Sequence, residues 1–345
     1  MKSPEFVPEY APDKDAGLFT SETSPDQADI IVIGVPWEPT VSYGRGTSNT
    51  PSRIVAASHQ LDFFEPFLQR DLSKEVAMLP LNQSWLDAND RATHLAEPII
   101  EAGGRISGEL ADNLAEINRL GRQINEELLA LTRHWLKQGK IVAVLGGDHS
   151  SPLGCMKAYH ERFPKLGVLH IDAHHDLRQA YEGFTYSHAS IMYNWLTEAD
   201  PAGPLVAVGI RDYAKFEREQ ATRDARITTF YDRDMKADLF RGESWSGICA
   251  RIVEKLPEDV YVSFDIDGLD PRSCPHTGTP VPGGLAYDQA VFLLEAVASS
   301  GKNIVGFDLC EVSPNPQDPE DEWDLNVASR ILHKLCALTI ATRQG

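Results

Sequence analysis

The stretch KLGVLHIDAHHDLRQ, residues 165 to 179, sets Asp172, His174 and Asp176 two residues apart at the end of an apolar run. Burying one such charge alone is costly, and burying three together makes sense only where something cationic holds them. In extended chain, residues i, i+2 and i+4 point to one side, so the three share a centre if that conformation continues. Asp265 and Asp267 repeat the spacing in SFDIDGLDP (263–271), and His149 follows a glycine pair in GGDHS (146–150). Taken singly, each reads equally well as an Asp cap, an exposed turn or a histidine at a helix start. Together they form a mixed nitrogen and oxygen donor set. Such a set suits Mn²⁺, could accept Zn²⁺, Co²⁺ or Ni²⁺, and lacks the thiolates of a structural zinc site. Six donors are too many for one catalytic ion that keeps an open position. Two cations sharing carboxylates, at roughly 3.5–4 Å, fit better. His175 points to the other side of the strand as a structural or supporting residue. His170 is on the ligand side but deeper, as a core histidine.

These residues need elements to position them. Short apolar runs at 29–35, 140–147, 165–172, 204–210, 259–267 and 303–312 read as strands, and 106–138 and 287–300 read as amphipathic helices. Continuous apolar strands alternating with helices predict a mostly parallel sheet covered on both faces. In such sheets ligands bind beyond the carboxyl ends of the strands. GGDHS, DAHHD and DIDGLDP each sit at such an end, and Glu311 closes the last strand. Residues 1–28 are expected to form an extended arm and 29–345 a single domain, with no repeat, low-complexity block or dividing linker.

The chain of 345 residues, 42% apolar and 24% charged, has the composition of a globular protein that buries a substantial core. Its net charge of −19 argues against a nucleic-acid or anionic-membrane partner, which needs a basic face. An acidic surface is compatible with a cationic substrate, and equally with plain solubility. The five cysteines are scattered without a C-x-x-C pair, and no apolar run approaches the roughly 20 residues of a membrane span. A reduced, cytoplasmic protein is expected. Cys155 and Cys310, near the site, read as buried inert thiols. A two-metal phosphoesterase is disfavoured, since no G-D-x-x-G followed by G-N-H-[DE] occurs and an acidic mouth would repel phosphate.

In order and spacing, GGDHS, DAHHD and SFDIDGLDP resemble the three signature motifs of the ureohydrolases, the arginase and agmatinase family. GVPWEPTVSYGRGTSNTPSRI (34–54), TGTPVPGGL (277–285) and EVSP (311–314) extend the resemblance over about 30 to 340. It implies an α/β three-layer sandwich with a mostly parallel, eight-stranded sheet, a dinuclear manganese centre and a trimer or hexamer. It also implies roles: His149 and Asp176 on the first metal, His174 and Asp267 on the second, and Asp172 and Asp265 bridging the pair. Glu311 would hold the substrate guanidinium, Asp176 would orient a water activated between the metals, and His188 would give the leaving amine its proton. His188 reads alternatively as a cap of the helix starting near Ser190, and Ala189 stands where agmatinases carry glycine. Asp270 reads as a turn residue giving support rather than ligation.

The resemblance fixes the reaction better than the substrate. Cys274-Pro275-His276 replaces the usual Ala-Pro-Gly, an acidic run NPQDPEDEWDLN follows EVSP, and 62–140 is longer than in a compact agmatinase. His276 and Trp323 would either reshape the pocket or lie on surface loops. An acidic loop near the pocket favours a cationic tail, which puts agmatine first. 4-Guanidinobutyrate, 3-guanidinopropionate, free guanidine and formiminoglutamate remain, as do Ni²⁺ for Mn²⁺ and a catalytically idle homologue.

Overall fold

A computed structural model describes residues 16–72, 74–199, 201–318 and 320–343. Ten strands follow in chain order: β1 Ile30–Val35, β2 Phe64–Glu65, β3 Arg70–Asp71, β4 Val76–Met78, β5 Ile141–Gly146, β6 Gly167–Ile171, β7 Leu205–Ile210, β8 Ile227–Tyr231, β9 Asp259–Asp265 and β10 Asn303–Cys310. Eight form one sheet in the order β4-β1-β5-β10-β9-β6-β7-β8, parallel at every pairing. β2 and β3 pair separately as a short antiparallel ladder. The helices are α1 Thr50–Ser58, α2 Gln83–Glu101, α3 Glu109–Lys137, α4 Leu153–Arg162, α5 Ile191–Glu198, α6 Lys215–Arg223, α7 Asp232–Phe240, α8 Trp245–Lys255, α9 Tyr287–Ser299 and α10 Trp323–Thr342.

The layers follow from strand alternation. Ile30 and Val32 of β1, with Ala143 and Leu145 of β5, belong to one buried cluster together with Leu293 of α9 and Leu332 of α10. Their neighbours Ile31, Ile33, Val142 and Val144 belong to a second cluster with Ile124 and Leu128 of α3. A strand that must bury both faces has to be apolar throughout, which is why these runs are continuous rather than alternating. The result is the expected three-layer α/β sandwich. α3 shows the matching helical logic: Ile117, Leu120, Ile124, Leu128 and Trp135 line one buried face. Acids in its first turn and His134 and Lys137 in its last complement its dipole.

Two features depart from expectation. β4 and β8, at the two sheet edges, escape a search for apolar runs because they are short or half-exposed. The expected arm is also not extended where it is described. Residues 1–15 lie outside the described residues, but Leu18 and Phe19 are buried, and the Phe19 amide donates to Ser58 Oγ at 2.9 Å. Among the described residues, no helix is long and apolar enough to cross a membrane.

Candidate metal centre

His149, Asp172, His174, Asp176, Asp265 and Asp267 meet beyond the carboxyl ends of β5, β6 and β9, at the sheet's centre. The chain reaches them by turns, not by continued strand. β6 ends at Ile171, and Asp176 is brought round with φ 53°. Asp267 lies in a 3₁₀ turn whose cap, Asp265, accepts the Asp267 amide at 2.8 Å. Ahead of His149, Gly147 packs so closely on the Trp37 backbone that a Cβ would lie 2.0 Å from its carbonyl oxygen. Only glycine fits there.

The six side chains fall into two groups. His149 Nδ1 lies 3.1, 3.3 and 3.2 Å from Oδ2 of Asp172, Asp176 and Asp265. His174 Nδ1 lies 3.0 Å from Asp267 Oδ2 and 3.4 Å from Asp172 Oδ1. Asp172 thus gives one oxygen to each group. It is oriented by the His174 amide on Oδ1 (2.5 Å) and by His170 Nε2 facing Oδ2 (2.8 Å). His170 is therefore no bystander in the core. Behind His149, Nε2 meets Ser263 Oγ at 2.8 Å, and that hydroxyl donates to Asp308 Oδ1 at 3.1 Å. With the hydroxyl proton on Asp308, the ring donates through Nε2, so Nδ1 is the ring atom turned towards the carboxylates.

The electrostatics say what the cluster would accept. Burial, then the Asp172 charge, raises Asp176 to about 7. Burial and Asp267 push Asp265 well up in the same way. Asp172 goes the other way: burial opposes its ionisation, but His170, His149 and His174 hold it well below the usual carboxylate range. Four buried carboxylates in mutual contact, answered only by imidazoles, form a set that two divalent cations would neutralise. The donors fit such a pair.

Glu311 follows β10 with φ 61°, and its Oε1 accepts the His149 amide at 2.9 Å. It lines, with His188, a cleft of about 300 Å³ that opens onto five of the six residues, with Asp172 fully buried. His188 does not cap α5, whose N-cap is Ser190; it opens the 3₁₀ turn before that helix, which Ser187 caps by accepting the Ala189 amide. The Nδ1 of His188 is buried without a hydrogen-bond partner among the described residues. Burial, then the neighbouring His174 charge, lowers His188 to about 4, so its ring is neutral at pH 7.

Other expected residues lie outside the cleft. His276 Nδ1 is 2.8 Å from Asp324 Oδ2, and the exposed Trp323 donates from Nε1 to the Arg272 carbonyl. Both pin a loop, and neither lines the cleft. Asp270 accepts the Arg272 amide and pairs with its guanidinium, holding a turn without touching a candidate ligand. His175 packs edge-on against Tyr213 and Tyr231. Cys155 and Cys310 are buried, with burial pushing the Cys155 thiol up to about 12, so neither is a nucleophile. Sequence reasoning missed the outer cleft, where Tyr43, Arg178, Tyr181, Asp212, Tyr213 and Glu217 stand. Only Arg178, two residues past Asp176, carried any signal.

The support is as specific as the site. Arg211 donates to the carbonyls of Gly209, Asp267, Leu269 and Val281, tying the third motif to the Gly/Pro loop. Arg211→Met is expected to destabilise the fold by about 2–3 kcal/mol, since it strips several charged hydrogen bonds at once. Urea unfolding measures this, and an unchanged midpoint would show that water replaces them freely.

Comparison with known proteins shows the family and the fold. The arginase family model matches residues 28–337. The N(1)-aminopropylagmatine ureohydrolase of Thermus thermophilus is 35% identical over 305 residues, covering 87% of this chain and 88% of that protein. The agmatinase of Bacillus subtilis is 29% identical, covering 90% and 91%. Among solved structures, proclavaminate amidino hydrolase from Streptomyces clavuligerus superposes with a TM-score of 0.72 at 22% identity, covering 97% of this chain and all of that one, and shares the fold. The agmatine ureohydrolase of Thermoplasma volcanium does so at 0.67 and 24%, covering 94% and 92%. The class is that of metal-dependent α/β hydrolases acting on guanidino compounds. Within it, the chain belongs to the arginase family.

Proposed function

We propose that this cleft hydrolyses the terminal guanidino group of a small substrate to urea and an amine. One observation carries the reading: Asp172 divides its two oxygens between a His149 group and a His174 group, as a bridge between two cations must. His149 and Asp176 would hold the first cation, His174 and Asp267 the second, with Asp172 and Asp265 shared. Mn²⁺ is the first choice and Ni²⁺ the second, because this donor set separates them weakly. Bound there, the cations would supply the Lewis acidity that makes water a nucleophile at neutral pH.

The protein's own groups do the rest. Glu311, held by the His149 amide, accepts the guanidinium N–H donors and sets the planar group over the centre. Asp176 accepts a hydrogen bond from the attacking water and fixes its direction. A carbon–oxygen bond forms and a carbon–nitrogen bond breaks, so the leaving nitrogen needs a proton. His188, neutral at pH 7, takes a proton at the cleft wall and passes it on; it is a relay rather than a stored acid. The relatives' names point to amine-tailed guanidines, but the premise that favoured agmatine loses its support, because among the described residues the acidic run after EVSP does not line the cleft. A cytoplasmic trimer or hexamer belongs to the same proposal and is checked by light scattering.

The test is urea release by purified protein loaded with Mn²⁺ or Ni²⁺. The substrates are agmatine, arginine, 4-guanidinobutyrate, 3-guanidinopropionate and guanidine, with formiminoglutamate scored by formamide. At least one compound should be cleaved, and Asp176→Asn should abolish that activity. A protein carrying both metals yet silent on all of them would sink the reaction and favour an idle homologue.

A further inference from the structure

We propose that Arg178 makes the outer half of this cleft select substrates whose tail ends in a carboxylate. This rests on the hydrolase reading above and extends it to the substrate class.

Among the described residues, Arg178 is the only lysine or arginine lining the cleft. Its backbone is anchored, the amide donating to the Ala189 carbonyl at 3.1 Å. Its guanidinium lies over the rings of Tyr181 (5.1 Å) and Phe216 (5.5 Å), which favour a stacked placement of the planar group. The side chain keeps 33% of its surface exposed, and it lines the cavity.

Among the described residues the guanidinium donates no hydrogen bond, though it forms one long ion pair. Its nearest carboxylate, Glu217, stands 3.8 Å away, beyond hydrogen-bond reach. Glu217 is itself committed: Oε2 accepts the Ala214 amide at 2.9 Å and Oε1 the Leu177 amide at 3.3 Å. Among the described residues no side chain accepts a hydrogen bond from the Arg178 guanidinium. A held, planar fork of unsatisfied N–H donors, two residues from Asp176, is the complement of a ligand carboxylate. Glu217 offsets part of this charge from 3.8 Å, but the guanidinium still disfavours an ammonium placed directly against it. Asp212 also lines the cleft, but it is exposed, and an ion pair there is worth little in water. Both ω-guanidino acids and N-formimino amino acids carry the required pairing of an amidine-type head and an anionic tail.

The experiment compares kcat/KM of the metal-loaded wild type, Arg178→Met and Arg178→Lys. Substrates are 4-guanidinobutyrate, 3-guanidinopropionate, N-formiminoglutamate and agmatine, with urea and formamide separating the two kinds of head. The wild type should prefer a carboxylate tail over agmatine by at least about tenfold. Arg178→Met should cost that substrate about 10–100-fold, mainly in KM, while agmatine is unchanged or improved; Arg178→Lys should fall between. The wild-type preference needs no variant, so a misfolded mutant leaves the question answerable. Preference for agmatine, or an equal loss on both tails in Arg178→Met, would overturn the proposal. If no compound is cleaved, the hydrolase reading fails separately. Calorimetry then decides on Arg178: tighter binding of 4-guanidinobutyrate than agmatine, lost in Arg178→Met, upholds it, and equal binding overturns it.

Discussion

Replacing Asp172 with asparagine is expected to lower kcat/KM by more than about 10³-fold and to leave the purified protein short of two bound metals. Changes to residues that only orient a metal ligand already cost roughly 10–100-fold. A carboxylate shared between both halves of the centre must cost more, because its loss weakens two cations at once. Asp172 is buried completely, and both of its oxygens are occupied, Oδ1 by His174 and Oδ2 by His149 and His170. Asparagine has the same shape but turns one acceptor into a donor. Whichever way the amide faces, it presents N–H groups to one of the two centres. The substitution also removes the charge that opposes ionisation of Asp176 and supports protonation of His174. The fold should survive, since the side-chain volume is unchanged. Metal analysis and urea release on the same preparation check this. Two metals per chain with activity within tenfold of wild type would deny Asp172 its bridging place.

The convergence of these six residues was legible because buried charge is expensive: an Asp or His at the end of an apolar run needs a reason to be there. The geometry behind it was not. Strand alternation brings Asp172 and Asp176 to one side only if the strand continues, whereas β6 stops at Ile171 and a left-handed turn at Asp176 does the work. The right residues met for a different local cause. The central strands could be read from their apolar runs because they are buried on both faces. β8 has one buried residue in five, and edge strands of that kind leave no apolar run to find.

The outer cleft was illegible for a related reason. Tyr213 and Asp212 look like any polar residues in a loop, and only the path of the chain between β7 and α6 brings them to the cleft. His276 and Trp323 show the converse. Their types suggested recognition, yet a hydrogen bond to Asp324 and one to the Arg272 carbonyl commit them to holding a loop. Residue type reports what chemistry is possible, while the partner decides whether it is already used. The guanidinium of Arg178, with rings on it and no hydrogen-bond acceptor among the described residues, is the case where it remains available.

The second large effect concerns pH: metal loading is expected to stabilise the protein far more at pH 8 than at pH 5. Burial, then Asp172, raises Asp176 from 3.8 to about 7 in the metal-free fold. Between about pH 4 and 7 the folded state therefore keeps a proton that the unfolded state has released, and stability falls as pH rises. From pH 5 to 7 that is on the order of 2–3 kcal/mol for Asp176 alone. Asp265 and Glu311, pushed well up by burial and then by Asp267 and Asp148 respectively, act in the same direction. His149 and His174 do too. Burial opposes their protonation, but the carboxylates around them raise both well above 6.5, so their contribution goes as pH climbs through those raised values. Asp172 has the opposite sign: its depressed value adds stability above about 3.8, and loses it only in acid below this window. Divalent cations take the place of the departing protons, and they bind more tightly as the ligands deprotonate. The gap in Tm between metal-loaded and chelator-treated protein should widen by at least a few degrees from pH 5 to 8, read by calorimetry. A gap that stays constant or narrows would mean that the carboxylates are already ionised in the metal-free fold, with no unpaid burial cost for the cations to relieve.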